Sequence, residues 1–301
     1  MRRGRRSPVA AGGSQCRGYR PPRVPELPVL HHDAVLEAVS PAEAIERVRE
    51  GLVRFHAGRW AMPPKIYLDS PPFGDFRAMP ARGDGLALLK WVTSFPRNSS
   101  RGLPTVTGVI CLSDASNGEP LMLIDARSVT ALRTGGVAAV ATAAASSGDA
   151  PGATISSSGR RFTMPRVSSA ARARAARPPP RCRARSRLAG GGHRTRPRGI
   201  DGPGKSEASV GAVASCALFC DEWAQASHGG ELTAAVTAGL IKREQVTELG
   251  AVLAGDAPGR PGPEAATLFD STGLAVQDLA VAAGALEAWQ AGTVSAQMVA
   301  L

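Results

Sequence analysis

Helical spacing of apolar residues begins at Ser40. Ser40-Pro41-Ala42-Glu43 has the form of a capping box with proline at the first helical position, and Ile45, Val48, Leu52 and Phe55 then recur on one face until Gly58. An amphipathic helix is predicted between Pro41 and Gly58. Leu86 to Phe95, Thr105 to Leu112 and Pro120 to Asp125 read as strands, the last two joined by the turn residues Ser116-Asn117-Gly118. They imply a largely antiparallel sheet. Val129 through Ala145 is alanine-rich and reads as a helix, with Thr130 as its cap and Arg133 in its first turn. Further on, Ala217 to Cys220 and Thr267 to Phe269 read as short strands, Glu231 to Leu240 as a helix, and Leu274 to Trp289 as a long apolar helix. No internal repeat is visible.

Two stretches break this patterning. Residues 1 to about 25 are rich in Arg, Gly and Pro without apolar periodicity, which predicts a disordered extension or a misplaced start codon. Between Ala150 and Gly199 arginine recurs every few residues, Pro178-Pro179-Pro180 interrupts the chain, and Phe162, Met164, Val167 and Leu188 are the main larger apolar groups. Such a segment buries too little to fold alone.

These stretches also explain the charge. The 301 residues carry a formal +11, from 36 Lys+Arg against 25 Asp+Glu. Seven arginines precede the first acid, Glu26, and thirteen lie in residues 151–200, which hold no Asp, Glu or Lys; setting them aside leaves 16 basic residues against 25 acids, or −9. The basicity therefore belongs to two segments, and with an apolar fraction of 43% the remainder can build a sizeable core. Five scattered cysteines, odd in number and without a CxxC pair, argue against a disulfide framework or a zinc site and for a reducing, cytoplasmic setting. No apolar h-region follows the basic start, and no run approaches the roughly 18 apolar residues of a membrane span. A soluble protein without membrane association is expected.

Several blocks stand out: Met62-Pro63-Pro64-Lys65, Gly74 to Ala81, Lys90-Trp91-Val92 with Pro96-Arg97-Asn98, Thr130-Ala131-Leu132-Arg133-Thr134, Asp201-Gly202-Pro203-Gly204-Lys205, His228-Gly229-Gly230-Glu231, and Phe269 to Asp278. In this order they resemble the ornithine cyclodeaminase/mu-crystallin family, most nearly its archaeal-type alanine dehydrogenase branch, over about residues 27–150 and 200–301. The resemblance implies an α/β fold: a sheet-based substrate and dimerisation domain (residues 26–150) completed by a C-terminal helix (274–301), with a Rossmann-like domain inserted, here incomplete (200–273, after the anomalous segment 151–199). It also implies a homodimer.

The chemistry implied by the resemblance is removal of hydride from the α-carbon of an amino acid by NAD, giving an imine that water or an internal amine attacks. Such a site needs a cation for the α-carboxylate and a proton acceptor. By the resemblance, Arg133 clamps the carboxylate in bidentate geometry, Lys65 takes the second carboxylate position, and Met79 and Thr272 adjoin the substrate. Lys90 matches the catalytic lysine, where an apolar strand would lower its pKa by desolvation, and Asp201 matches the catalytic carboxylate. Read without the resemblance, Lys65 and Arg133 are surface cations, Lys90 snorkels from a sheet edge, and Asp201 is a turn residue. His228 reads as structural or as a cap, Glu231 as a helix brace, and no metal site is expected.

The cofactor half of the pattern is damaged. Ala153-Thr154-Ile155 begins a strand, but Ser156-Ser157-Ser158-Gly159-Arg160-Arg161 follows where a glycine-rich turn is needed, and no acidic residue occurs before Asp201. No second or third strand can be drawn, and the interval from Ile155 to Ile200 has room for about one βαβ unit of roughly 30 residues. Thr105, Arg133, Lys205 and Ser271 remain at the family's cofactor-contact positions, so weak or lost NAD binding is expected. The arginine segment reads either as a nonspecific nucleic-acid arm, without the aromatics or repeats of a specific one, or as a frame error in GC-rich coding DNA, which is the favoured reading. The function expected is NAD-dependent amino-acid oxidation of the alanine dehydrogenase type, impaired in this chain. Ornithine cyclodeamination, ketimine reduction and a non-catalytic crystallin-like binding role are the alternatives.

Overall fold

A computed structural model describes residues 26–145, 154–157, 160–162, 209–262 and 265–300. The chain opens with β1 (Glu26–Leu30), α1 (His32–Ala38) and α2 (Pro41–His56). The Ser40 hydroxyl accepts from the Glu43 amide at 3.2 Å, while the Glu43 carboxylate pairs with Arg47 at 2.7 Å, so the return half of the predicted box is spent one turn up the helix. Gly58, at φ +70°, lets the chain turn away beyond its end.

Strands β2 (Ile66–Ser70), β3 (Gly74–Gly83), β4 (Leu86–Ser94), β5 (Val106–Asp114) and β6 (Pro120–Asp125) follow, with a 3₁₀ turn at Pro96–Arg101. With β12 (Gln297–Ala300) they form a seven-stranded sheet, order β12-β1-β6-β5-β4-β3-β2, antiparallel except where β1 meets β6. Period-two alternation sorts β4: Leu88, Lys90 and Val92 point inward, Leu89 and Trp91 outward. The inward face packs on α3 (Ala126–Ala145) and on α8 (Ala275–Gln290), and α2 packs on those two helices. Helix α3 begins three residues earlier than the apolar pattern predicts. Asp125 is its cap, accepting from the Arg127 and Ser128 amides at 3.0 Å. Thr130 is therefore no cap, and Arg133 lies two turns in instead of in the first turn.

The second sheet, order β10-β9-β11-β7-β8, comprises β7 (Thr154–Ser157), β8 (Arg160–Phe162), β9 (Ala217–Cys220), β10 (Val246–Glu248) and β11 (Thr267–Ser271). Four strands are parallel; β8 alone runs antiparallel, pairing Ser156 with Arg161 and Ser157 with Arg160. A second strand thus exists where the sequence shows none. Short helices α4 (Val210–Ala214), α5 (Trp223–Gly229), α6 (Thr233–Thr237) and α7 (Leu249–Ala254) surround it, with a 3₁₀ turn at Arg243–Gln245. The helix expected over Glu231–Leu240 shrinks to α6, because Leu232 sits at its cap and Gly239, at φ +70°, ends it. Leu218 and Cys220 face a local core with Leu232, Ile241 and Val246, whereas Phe219 and Phe269 on the opposite face join the core of the first sheet. Helix α8, buried almost all round, follows β11 yet packs on the first sheet, and so ties the two together. Among the described residues no helix is long and apolar enough to cross a membrane.

Candidate active site

The inward position of Lys90 decides its chemistry. The side chain is 1% exposed at the centre of the sheet, not at its edge. Its ammonium donates to Thr130 Oγ1 at 2.7 Å and to Asp278 Oδ1 at 2.9 Å, and the Thr130 hydroxyl in turn donates a hydrogen bond to the Ala126 carbonyl. Burial pushes the Lys90 pKa down to about 8; the charge of Asp278 opposes this, while those of Arg133 and Arg77 add to it. A lysine so placed exchanges a proton near neutral pH.

Arg133 meets the same carboxylate from α3. Its Nε lies 3.2 Å from Asp278 Oδ1, and its Nη1 is 3.4 Å from Gln277 Oε1. Asp278 and Gln277, in the first turn of α8, are fully buried, and each keeps one polar atom without a protein partner, Oδ2 and Nε2. An orphaned acceptor and an orphaned donor on consecutive residues leave hydrogen-bonding capacity that a polar ligand could satisfy. The guanidinium also lies against Gly273, whose φ is +74°; a Cβ there would come within 2.5 Å of Nη1. The residue before it, Thr272, offers its carbonyl to the Lys65 ammonium.

Lys65, Lys90 and Arg133 thus converge on one line of contacts running Thr272–Gly273–Gln277–Asp278. Met79 is close by, buried on β3 directly opposite Lys90 in register. Ser271 ends β11 and is buried. Thr105 lies elsewhere, exposed just before β5, with its carbonyl accepting from the Phe95 amide at 2.8 Å. Asp201 and Lys205 fall outside the described residues. His228 bonds the Ala224 carbonyl at 2.9 Å in the last turn of α5, a structural placement.

Sequence reasoning assigned no role to Asp278, Gln277 and Asp221. The first two stood inside the quoted block from Phe269 to Asp278; the alternation of charge and amide on an otherwise apolar helix was the available signal. Asp221 follows β9 and reaches a turn fifty residues away, which no local pattern reveals. Beside it, burial and the charge of Asp221 push the Asp270 carboxyl up to about 8, and Asp270 Oδ2 accepts from the Leu232 amide at 3.2 Å.

The carboxyl ends of β7, β9, β10 and β11, where parallel sheets bind ligands, open on the Thr272 side of this site. The described residues do not fit the diphosphate of a dinucleotide there. A phosphate site needs a helix N-terminus to follow β7, and the chain instead returns alongside it as β8.

Two sheets joined by a buried helix, with three cations brought to the turn and helix start that follow β11, define a mixed α/β architecture. The comparisons make this specific: the sequence pattern of the ornithine cyclodeaminase/mu-crystallin family matches residues 27–160 and 188–293, and the chain belongs to this family. The match resumes earlier than the expected position near Ile200. Alanine dehydrogenase from Archaeoglobus fulgidus is 34% identical over 301 aligned positions, covering 85% of this chain and 93% of the relative. Iminosuccinate reductase from Paracoccus denitrificans is 51% identical over 89 residues, covering 30% of this chain and 28% of the relative. Among solved structures, an archaeal alanine dehydrogenase dimer with bound NAD superposes with a TM-score of 0.74 at 29% identity, covering 91% of this chain and 99% of that one.

Proposed function

We propose that this chain carries the substrate half of an α-amino-acid oxidoreductase of the alanine dehydrogenase type, with a dinucleotide half impaired as the sequence stands. The observation that carries the reading is the buried set Lys90–Asp278–Arg133, with orphaned Asp278 Oδ2 and Gln277 Nε2 beside it. In this reading Arg133 and Lys65 hold the α-carboxylate, the unpaired oxygen of Asp278 accepts from the substrate nitrogen, and Lys90, titrating at about 8, takes or returns a proton at Nζ. Asp201 and Lys205 keep the catalytic and cofactor roles that their motif implies, as do Thr105 and Ser271 toward the cofactor and Met79 and Thr272 toward the substrate. The substrate is a small amino acid or its imine.

Impairment rests on two supports. The strand β8 stands where a phosphate-binding helix should begin, and the family match leaves residues 161–187 unmatched, within the arginine segment that a shifted reading frame would produce. A second copy of the chain would dock on the outer face of the first sheet, where Leu89, Trp91 and Val109 are exposed together. Calorimetric titration tests the reading. Pyruvate should bind with a measurable heat that Arg133→Ala abolishes, while NADH should bind no tighter than about millimolar. Micromolar NADH affinity would show that the cofactor half works, and absence of pyruvate binding would remove the carboxylate site.

A further inference from the structure

We propose that Asp221 is the positioning residue that sets both carboxylate-binding cations, an inference that rests on the substrate-site reading above. It lies at the carboxyl end of β9, 3% exposed, and its carboxylate gathers donors from a turn far along the chain. Oδ1 accepts from Thr272 Oγ1 at 2.9 Å and from the neighbouring Glu222 amide at 3.0 Å; Oδ2 accepts from the Gly273 amide at 2.8 Å and from Ser271 Oγ at 3.4 Å. The backbone N–H of Asp221 in turn donates to the Asp270 carbonyl at 3.2 Å. One carboxylate therefore holds the last residue of β11 and the first two residues of the turn between β11 and α8.

Each residue of that turn has a further task. The Thr272 carbonyl receives the Lys65 ammonium, and the bare face of Gly273 receives the Arg133 guanidinium. The Leu274 cap of α8 has no side-chain cap bond, so the residues just before the helix are held by Asp221 instead. Moving the turn moves the anchor of Lys65 and the wall behind Arg133 together. The charge of Lys65 also reaches Glu222, the residue after Asp221. Asp221 acts through the turn.

Three readouts test this on the full chain: protection of the Gly273 amide from hydrogen exchange, the rate of reductive methylation of Lys65 by mass spectrometry, and pyruvate affinity. Asp221→Ala should raise Gly273 exchange and Lys65 labelling about tenfold and weaken pyruvate by a similar factor, the loss of hydrogen bonds to a charged group. Asp221→Asn, which keeps the shape and one acceptor oxygen, should fall between Ala and the parent, and it carries the test if the alanine variant does not fold. Ile241→Ala, which opens the second core without touching the turn, is the control for lost stability alone. If both Asp221 variants leave Lys65 labelling and Gly273 exchange at the level of the control, Asp221 merely stabilises the fold and the proposal is overturned. If the parent fails to bind pyruvate, the carboxylate reading fails by itself, and the labelling and exchange results still decide what Asp221 positions.

Discussion

Replacing Asp278 by asparagine leaves the shape of the site but removes the charge that Lys90 and Arg133 share. Burial has already carried Lys90 from 10.5 to about 8, so keeping it a cation in the folded chain costs about 3 kcal/mol below pH 8. Asp278 limits that cost, because its charge and hydrogen bond raise the lysine while Arg133 and Arg77 lower it. Breaking one side of a buried pair costs about 3–5 kcal/mol, and D278N is expected to lose that much at about pH 6. The sign of the pH dependence follows from the two states. The unfolded lysine holds its proton up to 10.5; the folded parent gives it up near 8, and folded D278N gives it up lower still. The lysine-linked part of the deficit is therefore complete at low pH, shrinks as pH rises, and is gone above about pH 8, where Lys90 is neutral in both folded proteins. A constant remainder reflects the Arg133 contact at 3.2 Å. Urea unfolding of parent, D278N, K90M and K90M/D278N at about pH 6, 7.5 and 9 measures this directly. The pH-dependent part should vanish in the K90M background. A deficit equal at all three pH values, or below about 1 kcal/mol at pH 6, would refute the coupling.

Gly273→Ala places a side chain at φ +74° and within 2.5 Å of Arg133 Nη1; it should cost about 1–2 kcal/mol and weaken pyruvate, and calorimetry showing parental affinity would contradict the placement of Arg133. Asp270, raised from 3.8 to about 8, binds its proton more tightly folded than unfolded, so its contribution to stability falls as pH rises from about 4 to 8; urea midpoints of D270N should lack that part of the slope, and a slope like the parent's would refute it. Trp91→Lys on the exposed face of β4 should yield a monomer by light scattering if two copies pair there, and an unchanged dimer would move the interface elsewhere.

The elements with a clear period were legible. Ala217 to Cys220 and Pro120 to Asp125 match their strands residue for residue, and the apolar run of α8 misses its helix by one residue at each end. Elements whose pattern is weak were not: β2 exposes Ile66, Tyr67 and Leu68 on an edge strand, so no alternation announces it, and α7 is only six residues long. Lys90 was legible through the resemblance, since its pattern alone read equally as a lysine snorkelling from a sheet edge. Asp278 was legible only as part of a motif, since a carboxylate in an apolar helix gains meaning from the cations that two other elements bring to it. Asp221 could not be read, because its partners lie fifty residues away and the turn it holds has no sequence signature of its own.

The burial of α8 bears on how such a protein can lose function. Lys90, Arg133 and Asp278 are fastened into the core of the first sheet by a helix that has eleven buried residues and reaches them from the far end of the chain. The contacts named among Lys90, Arg133 and Asp278 join β4, α3 and α8 directly. If this site holds a carboxylate as proposed, its binding groups and the dinucleotide half occupy separable parts of the molecule. On that proposal, a lesion in the middle would remove the cofactor's contribution and leave the carboxylate contacts standing.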